Sequence, residues 1–430
     1  MNRRNDPRVV WNIKSEKKYN YRFMGNEFVR LSAAMLSTWG SCRVSLVRLL
    51  SVAAAVSMFF QRRRITYAVF LSLFLAVLSC GNRGKKMKTE EKFRWEEGKS
   101  CPLGYPIEVY RGGFSNAEGG FVSLYSGITA GTSYWGDGGN GMSHGAKRLP
   151  DRLHVQWLSY AEDAIFEVDA AIDREKIAAY FRKGCQRRAA DGMLWDDNYN
   201  RILAGFAPGA VVVVWVAGPG VQQEIGRYQG RKIEIPQSEI QALDYPDKML
   251  FDTAYRKKLF SQNNVVPLEV QKANAGKAIP YGLWDLYRRR YALKVVFKLQ
   301  NKAILGDCII LHVNGERNHY FQEWSLQDEK DPEVFYYKVD QDGGYAIPRE
   351  IMFNWKGKDG CRYHGDFEFL ESEIQDAFTA ICEQDKDVKL ELQVRVNLSN
   401  SYASILLQGS NGKEVWLHRH EEATFFKLKD

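Results

Sequence analysis

The chain has 430 residues, 45% hydrophobic and 26% charged, which excludes a disordered chain and suffices for two or three folded domains. Its formal charge is +8, but residues 1–79 hold 13 Lys and Arg against only Asp6, Glu16 and Glu27. The remainder carries 47 basic and 49 acidic residues, so no basic field is left to track a phosphate backbone and nucleic acid is excluded as a partner.

Residues 1–57 read as an over-extended reading frame or a cytosolic tail, with a half-apolar stretch, Ser45–Phe60, interrupted by Arg48. Met58 opens a signal of ordinary length, residues 58–79. Arg62, Arg63 and Arg64 precede the uncharged run Ile65–Leu78, and Ser79 is followed by Cys80. A basic segment, a short apolar run and a small residue at the cut describe a secretory signal. The run is short of the roughly 20 residues that span a bilayer. Cys80 after Ser79 resembles a bacterial lipobox, although Leu78 is larger than the usual residue there. The resemblance implies acylation at Cys80, which then holds the chain to a membrane. Gly81, where inner-membrane lipoproteins carry Asp, implies the outer membrane, facing the periplasm. Charged residues 80–97 read as the tether.

A first lobe is expected over residues 98–243. Its glycine-rich segment Gly131–Gly145 reads as a mobile loop and a candidate contact surface, offering Trp135, Asp137, Asn140 and His144 to a partner. Within it Gly141-Met142-Ser143-His144-Gly145 fits the G-x-S-x-G pattern of serine hydrolases, with His312 or His364 as triad candidates. That chemistry needs a strand before the serine and a helix after it, and neither is legible. Gly136–Gly141 satisfies GxGxxG with the same shortfall. Asp173 is placed to cap a helix over 173–183 that stops at Gly184. Val211–Val216 is apolar throughout, which predicts a central strand buried on both faces, with Glu224–Tyr228 as a polar partner nearer the edge.

Residues 244–282 read as a connector, helical over Asp247–Phe260 and irregular from Asn263. A helix is expected over Leu283–Tyr291, opening a second lobe, 283–430. Trp284, Tyr287, Arg288 and Tyr291 would share one stripe of it. Trp, Tyr and Arg are the usual hot-spot residues, so Trp284, Tyr287 and Arg288 join the candidate partner surface, against the plainer reading of a core anchor. His418 and His420 would share a strand face, but no third ligand completes a metal shell. The acidic pairs Asp137/Asn140, Asp196/Asp197 and Asp340/Asp342 lack a calcium loop and read as turns. No cofactor or metal is expected. Cys101, Cys185, Cys308, Cys361 and Cys382 are odd in number and lack zinc spacing, which implies buried thiols with at most some bridging.

The lobes repeat each other. Leu149-Pro150-Asp151-Arg152-Leu153-His154-Val155-Gln156-Trp157 aligns with Ile347-Pro348-Arg349-Glu350-Ile351-Met352-Phe353-Asn354-Trp355. Ile177, Phe181 and Cys185 correspond to Ile374, Phe378 and Cys382, at helical spacing. Ala210–Ile225 parallels Tyr402–Val415, each a strand, a Gly-bearing turn and a return strand. Ile107–Tyr110 matches Ile309–His312. The expected fold is α+β and β-rich: two tandem duplicated lobes, each an antiparallel sheet with one packed helix.

The stretches YPIEVYRG, LPDRLHVQWLSYAED, APGAVVVVWVAGPG, EIGRYQG and IPYGLWDLYRRRY resemble a family of bacterial lipoproteins known as domain of unknown function 2931, over about Trp95–Asn314. The family name implies no reaction. The resemblance implies a periplasmic binding role, in its sharpest form an antidote (immunity) protein against a secreted antibacterial phospholipase. The expected function is therefore non-catalytic binding of a protein partner in the envelope. The alternatives are a serine hydrolase using Ser143 and an envelope scaffold or small-ligand binder, which an apolar pocket between the lobes would favour.

Overall fold

A computed structural model describes residues 91–139, 141–189, 192–300, 303–337, 343–383, 387–418 and 420–428. Residues 1–57, the signal, Cys80, Asn140 and the Asp340/Asp342 pair lie outside the described residues. The segment read as a tether up to residue 97 already forms strand from Phe93. Phe93–Arg94 pairs with Ala146–Lys147, and the first long strand starts at Glu96.

In chain order the first lobe runs β1 (Glu96–Ser100), β2 (Ile107–Ser115), β3 (Phe121–Ser123), β4 (Arg152–Ser159), β5 (Ala164–Ala171) and α1 (Arg174–Lys183). A hairpin follows, β6 (Cys185–Arg188) and β7 (Leu194–Asp197), then β8 (Arg201–Ala207), β9 (Val211–Gly218) and β10 (Val221–Gln229). The connector holds short helices, Tyr245–Lys248, Thr253–Phe260 and α2 (Leu268–Asn274). The expected helix over 247–260 is broken because the Asp252 side chain accepts from the Tyr255 amide at 2.8 Å and starts a new helix there. The stretch expected to be irregular contains α2.

The second lobe opens with α3 (Leu283–Leu286), then β11 (Ala292–Lys298), β12 (Ile304–His312), β13 (Arg317–Tyr320), β14 (Pro348–Lys356), β15 (Arg362–Phe369) and α4 (Glu371–Cys382). It ends with β16 (Lys389–Val396), β17 (Ala403–Gly409), β18 (Glu414–Leu417) and β19 (His420–Lys427). The predicted helix 283–291 is one turn only, because Tyr291 already bridges to Tyr345. His418 falls between β18 and β19, so the expected histidine pair does not share a strand.

The fold is α+β and β-rich, and the duplication is visible strand by strand. In the first lobe β2, β4 and β5 pair antiparallel in order, while β1 lies parallel to β8, followed by β9 and β10. In the second, β12, β14 and β15 pair in order, while β11 lies parallel to β16, followed by β17 and β18. Each lobe is thus two facing sheets, one antiparallel and one containing a parallel pair. In each, the helix lies between the third strand of the first set and the strand that returns to the other sheet. Asp173 caps α1 by accepting from the Lys176 amide at 2.9 Å, and the helix ends at Gly184. Cys185 therefore lies in β6, whereas its counterpart Cys382 is still helical. No disulfide joins the five described cysteines.

β9 is central, as its composition predicts. Val212, Val214 and Val216 enter the first lobe's core with Ile202 and Phe206. Val211, Val213 and Trp215 face the other way, against Trp135, Leu203 and Trp284. Each fully buried side chain of this size contributes about 1.5–3 kcal/mol.

The polar strand β10 is not an edge. It meets β13 through Gln222 and Arg317, which joins half of each lobe into one nine-stranded sheet, β1-β8-β9-β10-β13-β12-β14-β15-β19. Its buried polar residues are matched across that seam. Gln222 Nε2 donates to the Gly136 carbonyl at 2.8 Å and the Gly315 carbonyl at 2.6 Å. Glu224 Oε1 accepts from Arg288 at 2.9 and 2.7 Å, and its amide donates to Glu316 Oε1 at 3.2 Å. Glu316, 3% exposed, is held by Arg290 at 2.6 Å. Gly136 and Gly315 touch backbone to backbone. Their φ angles are +89° and +84°, and a Cβ on Gly136 would lie 2.4 Å from the Gly315 Cα.

Burial pushes the Glu316 carboxyl up, but Arg290 and Asn314 bring it below the usual range. Burial holds the neighbouring His312 below its ordinary 6.5. Removing Arg290 leaves a buried carboxylate unmatched. Arg290→Met is expected to cost about 3–5 kcal/mol in urea unfolding. Both pKa values are depressed in the folded chain, so the stability they confer is present above the ordinary pKa values and is lost as pH falls. A Tm series is expected to decline as pH drops below about 6.5 and again below about 4.5.

Candidate functional site

A pocket of about 620 Å³ lies where the connector meets both lobes. Its aromatic walls include Tyr105, Trp135, Trp284 and Tyr287, with Arg349 and Glu371 beside them. Tyr105 follows the Pro102 turn, its amide donating to the Pro102 carbonyl at 2.9 Å. Its ring meets Trp284 edge-on at 5.3 Å. Trp135 packs edge-on against Trp215 at 4.9 Å. Trp284 and Tyr287 are brought to one side by α3, one turn apart. The Tyr287 hydroxyl donates to Glu371, the first residue of α4. Burial, then the Glu371 charge, raises the Tyr287 hydroxyl far above its ordinary pKa, so it remains a donor.

Three of the candidate contact residues, Trp135, Trp284 and Tyr287, line this pocket, though not as a protruding surface. Trp135 and Trp284 are buried and serve the core beneath the pocket. Tyr287 is half-buried on its wall. Arg288 is spent on Glu224 in the seam. Tyr291 leaves the stripe and packs against Phe378 at 4.9 Å, because α3 ends before it. Asp137 receives Arg317 at 3.2 Å and Arg349 at 3.7 Å, which ties the glycine-rich loop to the second lobe. His144 stands apart, exposed, with Nδ1 3.2 Å from Glu96. Sequence reasoning missed Tyr105, Arg349 and Glu371. Arg349 sits inside the repeated motif, at the place where the first lobe has Asp151, and that change of sign was the available signal.

A second cleft, about 610 Å³, opens in the first lobe beneath the glycine-rich loop. It contains Ser143. The Ser143 hydroxyl donates to Glu97 and accepts from Lys147. Glu97 Oε1 also takes the amides of Met142 at 2.8 Å and Ser143 at 3.2 Å. Burial raises this carboxyl, but the Ser143 and Met142 bonds together bring it below the usual range. The loop is therefore pinned rather than mobile: Glu97 holds one end, and Arg201 donates to the Gly138 carbonyl at 2.8 Å. The triad candidates are committed elsewhere. His312 is bonded to the Ala346 carbonyl and Asn318, each at 2.9 Å, and His364 to Asn354 at 2.8 Å, all in the second lobe. Lys99 spans the cleft to the Gly127 carbonyl at 2.8 Å, and burial lowers its ammonium to about 8.

Among the described residues no group of His, Cys, Asp and Glu is arranged to hold a metal. Asp197 is paired with Arg187 at 2.7 Å and Asp196 with Gln186 at 3.0 Å. If Glu97 pins the loop, Glu97→Ala is expected to speed hydrogen exchange at the Met142 and Ser143 amides by at least about tenfold, while exchange in β9 stays unchanged. Unaltered exchange at both amides would show that the loop is held by other contacts.

Residues 82–282 match the family described as Protein of unknown function (DUF2931). This segment contains the whole first lobe and the connector, and it stops one residue before Leu283. The pocket is thus built from both sides of that boundary. No curated protein matches the chain.

Proposed function

We propose that this chain is a non-catalytic envelope lipoprotein, anchored through Cys80 in the outer membrane and facing the periplasm, that binds a small ligand in the pocket between its duplicated lobes. The observation that carries this reading is the pocket, whose walls come from the first lobe, the connector and the second lobe together. Its volume and aromatic lining are those of small-molecule sites, which favour domain boundaries. In this reading the acyl chains on Cys80 supply the membrane attachment; no helix among the described residues is long and apolar enough to cross a bilayer.

The Ser143 hydrolase reading loses support for a chemical reason. A nucleophile needs a base to take its proton and free amides to hold the oxyanion. Here the Met142 and Ser143 amides both donate to Glu97, so neither is free to hold an oxyanion.

A second reading, protein-partner binding in the manner of an antidote, is favoured by a different observation. The hairpin β6–β7 carries Met193 at 62% and Trp195 at 52% exposure. Arg188 holds this hairpin to the second lobe through Asp307 at 2.5 Å and Glu323 at 2.8 Å, so it is presented rigidly. Large side chains exposed on a fixed element are typical protein-contact anchors.

One pair of variants separates the two. Ala273 lines the pocket from α2, and Ala273→Trp should fill it without touching either lobe's core. Native mass spectrometry of the full chain extracted from its membrane is expected to show a small-molecule adduct that Ala273→Trp removes and Trp195→Ala keeps. The reverse pattern in a pull-down, with a stoichiometric protein lost in Trp195→Ala alone, would shift the assignment to the hairpin.

A further inference from the structure

We infer that the inter-lobe pocket takes a small organic cation, an alkylammonium group held between aromatic rings and carboxylates. This rests on the pocket being the binding site. The first ground is the walls. Tyr105, Trp284 and Tyr287 converge there, and ring faces attract a cation electrostatically. A pocket built for a neutral apolar ligand would have no need of the second ground, which is charge.

Glu269, Glu368 and Glu371 line the pocket against Arg349 and Lys277. The charge of Arg349 is already committed. Its guanidinium lies 4.0 Å over the Tyr134 ring, 3.7 Å from Asp137 and 3.4 Å from Glu350. Among the described residues Glu371 accepts from neutral donors, the Tyr287 hydroxyl and the Gln375 amide at 3.0 Å. Glu368 lies opposite Glu350 in the β14–β15 pair, and among the described residues no cation bridges to either Glu368 or Glu371. Crowding shows in Glu350, whose carboxyl is pushed up by burial and then by Asp366 and Glu368. Lys277 is exposed on the connector, and Glu269 on α2 lines the pocket as well. Glu368 and Glu371 thus stand beside the half-buried Tyr105 and Tyr287 with no cationic partner among the described residues, and a bound cation would satisfy both.

The test uses the full chain in a non-ionic detergent, with choline chloride, its uncharged isostere 3,3-dimethyl-1-butanol and the anion 3,3-dimethylbutyrate as probes, read by isothermal titration calorimetry. Choline is expected to bind at least about tenfold more tightly than the isostere, and the preference to vanish in Glu371→Gln, which keeps an acceptor for Tyr287. Ala273→Trp is expected to abolish binding. Equal affinity for choline and the isostere, or tighter binding of the anion, overturns the cation assignment and leaves the pocket reading standing. Choline binding that survives Ala273→Trp places the cation elsewhere and overturns the inference. Binding of none of the three by a chain with wild-type Tm overturns the inference and the pocket reading together.

Discussion

The fold depends on a buried polar seam. Glu224 and Glu316 are withdrawn from water between the lobes, and Arg288 and Arg290, both immediately after α3, supply their counter-charges. Desolvating a carboxylate is costly unless it is paired and hydrogen-bonded, so these bonds admit only one arrangement of the two lobes. Apolar contacts would hold the lobes as firmly, but with less demand on register. The close approach of Gly136 to Gly315 adds a steric condition to the electrostatic one.

The seam also explains how a duplication produced an asymmetric molecule. The two lobes share the same strand order, yet they do not meet through equivalent sheets. β10 closes the sheet containing the parallel pair in the first lobe, whereas β13 belongs to the other sheet of the second. The counterpart of β10 in the second lobe, β18, ends its sheet, with no further strand beside it among the described residues. The joint is thus head to tail, and the surfaces brought together are different ones. That is why the pocket receives Tyr105 and Trp135 from one copy of the repeat and Arg349 and Glu371 from unrelated positions of the other.

The glycine-rich loop has a role that its composition conceals. Glycine suggests mobility when read as a string, but here the absence of side chains lets the backbone lie against other backbone. Gly141 sits on Glu97 so closely that a Cβ would lie 2.2 Å from its carbonyl oxygen. Ser143 belongs to this fastening. The serine pattern is satisfied in sequence while its chemistry is absorbed by Glu97 and Lys147.

Much of the fold was legible in the sequence. The repeat, the capped helix α1, the central strand β9 and the β-rich α+β class follow from local spacing and from the rule that an all-apolar strand is covered on both faces. The aromatic and basic residues after Pro280 were also visible as a cluster, but not their direction. Whether Trp284 and Trp135 face solvent or core depends on what the second lobe places over them. The polarity of Gln222–Glu224 likewise predicts an edge when read alone. It becomes an interior strand only because Arg288, Gly315 and Glu316, up to 93 residues away, arrive with matching bonds. Local pattern reports which side chains want burial or pairing. The tertiary structure decides which partner satisfies them, because charge pairing and close backbone contact depend on distances that sequence separation does not encode.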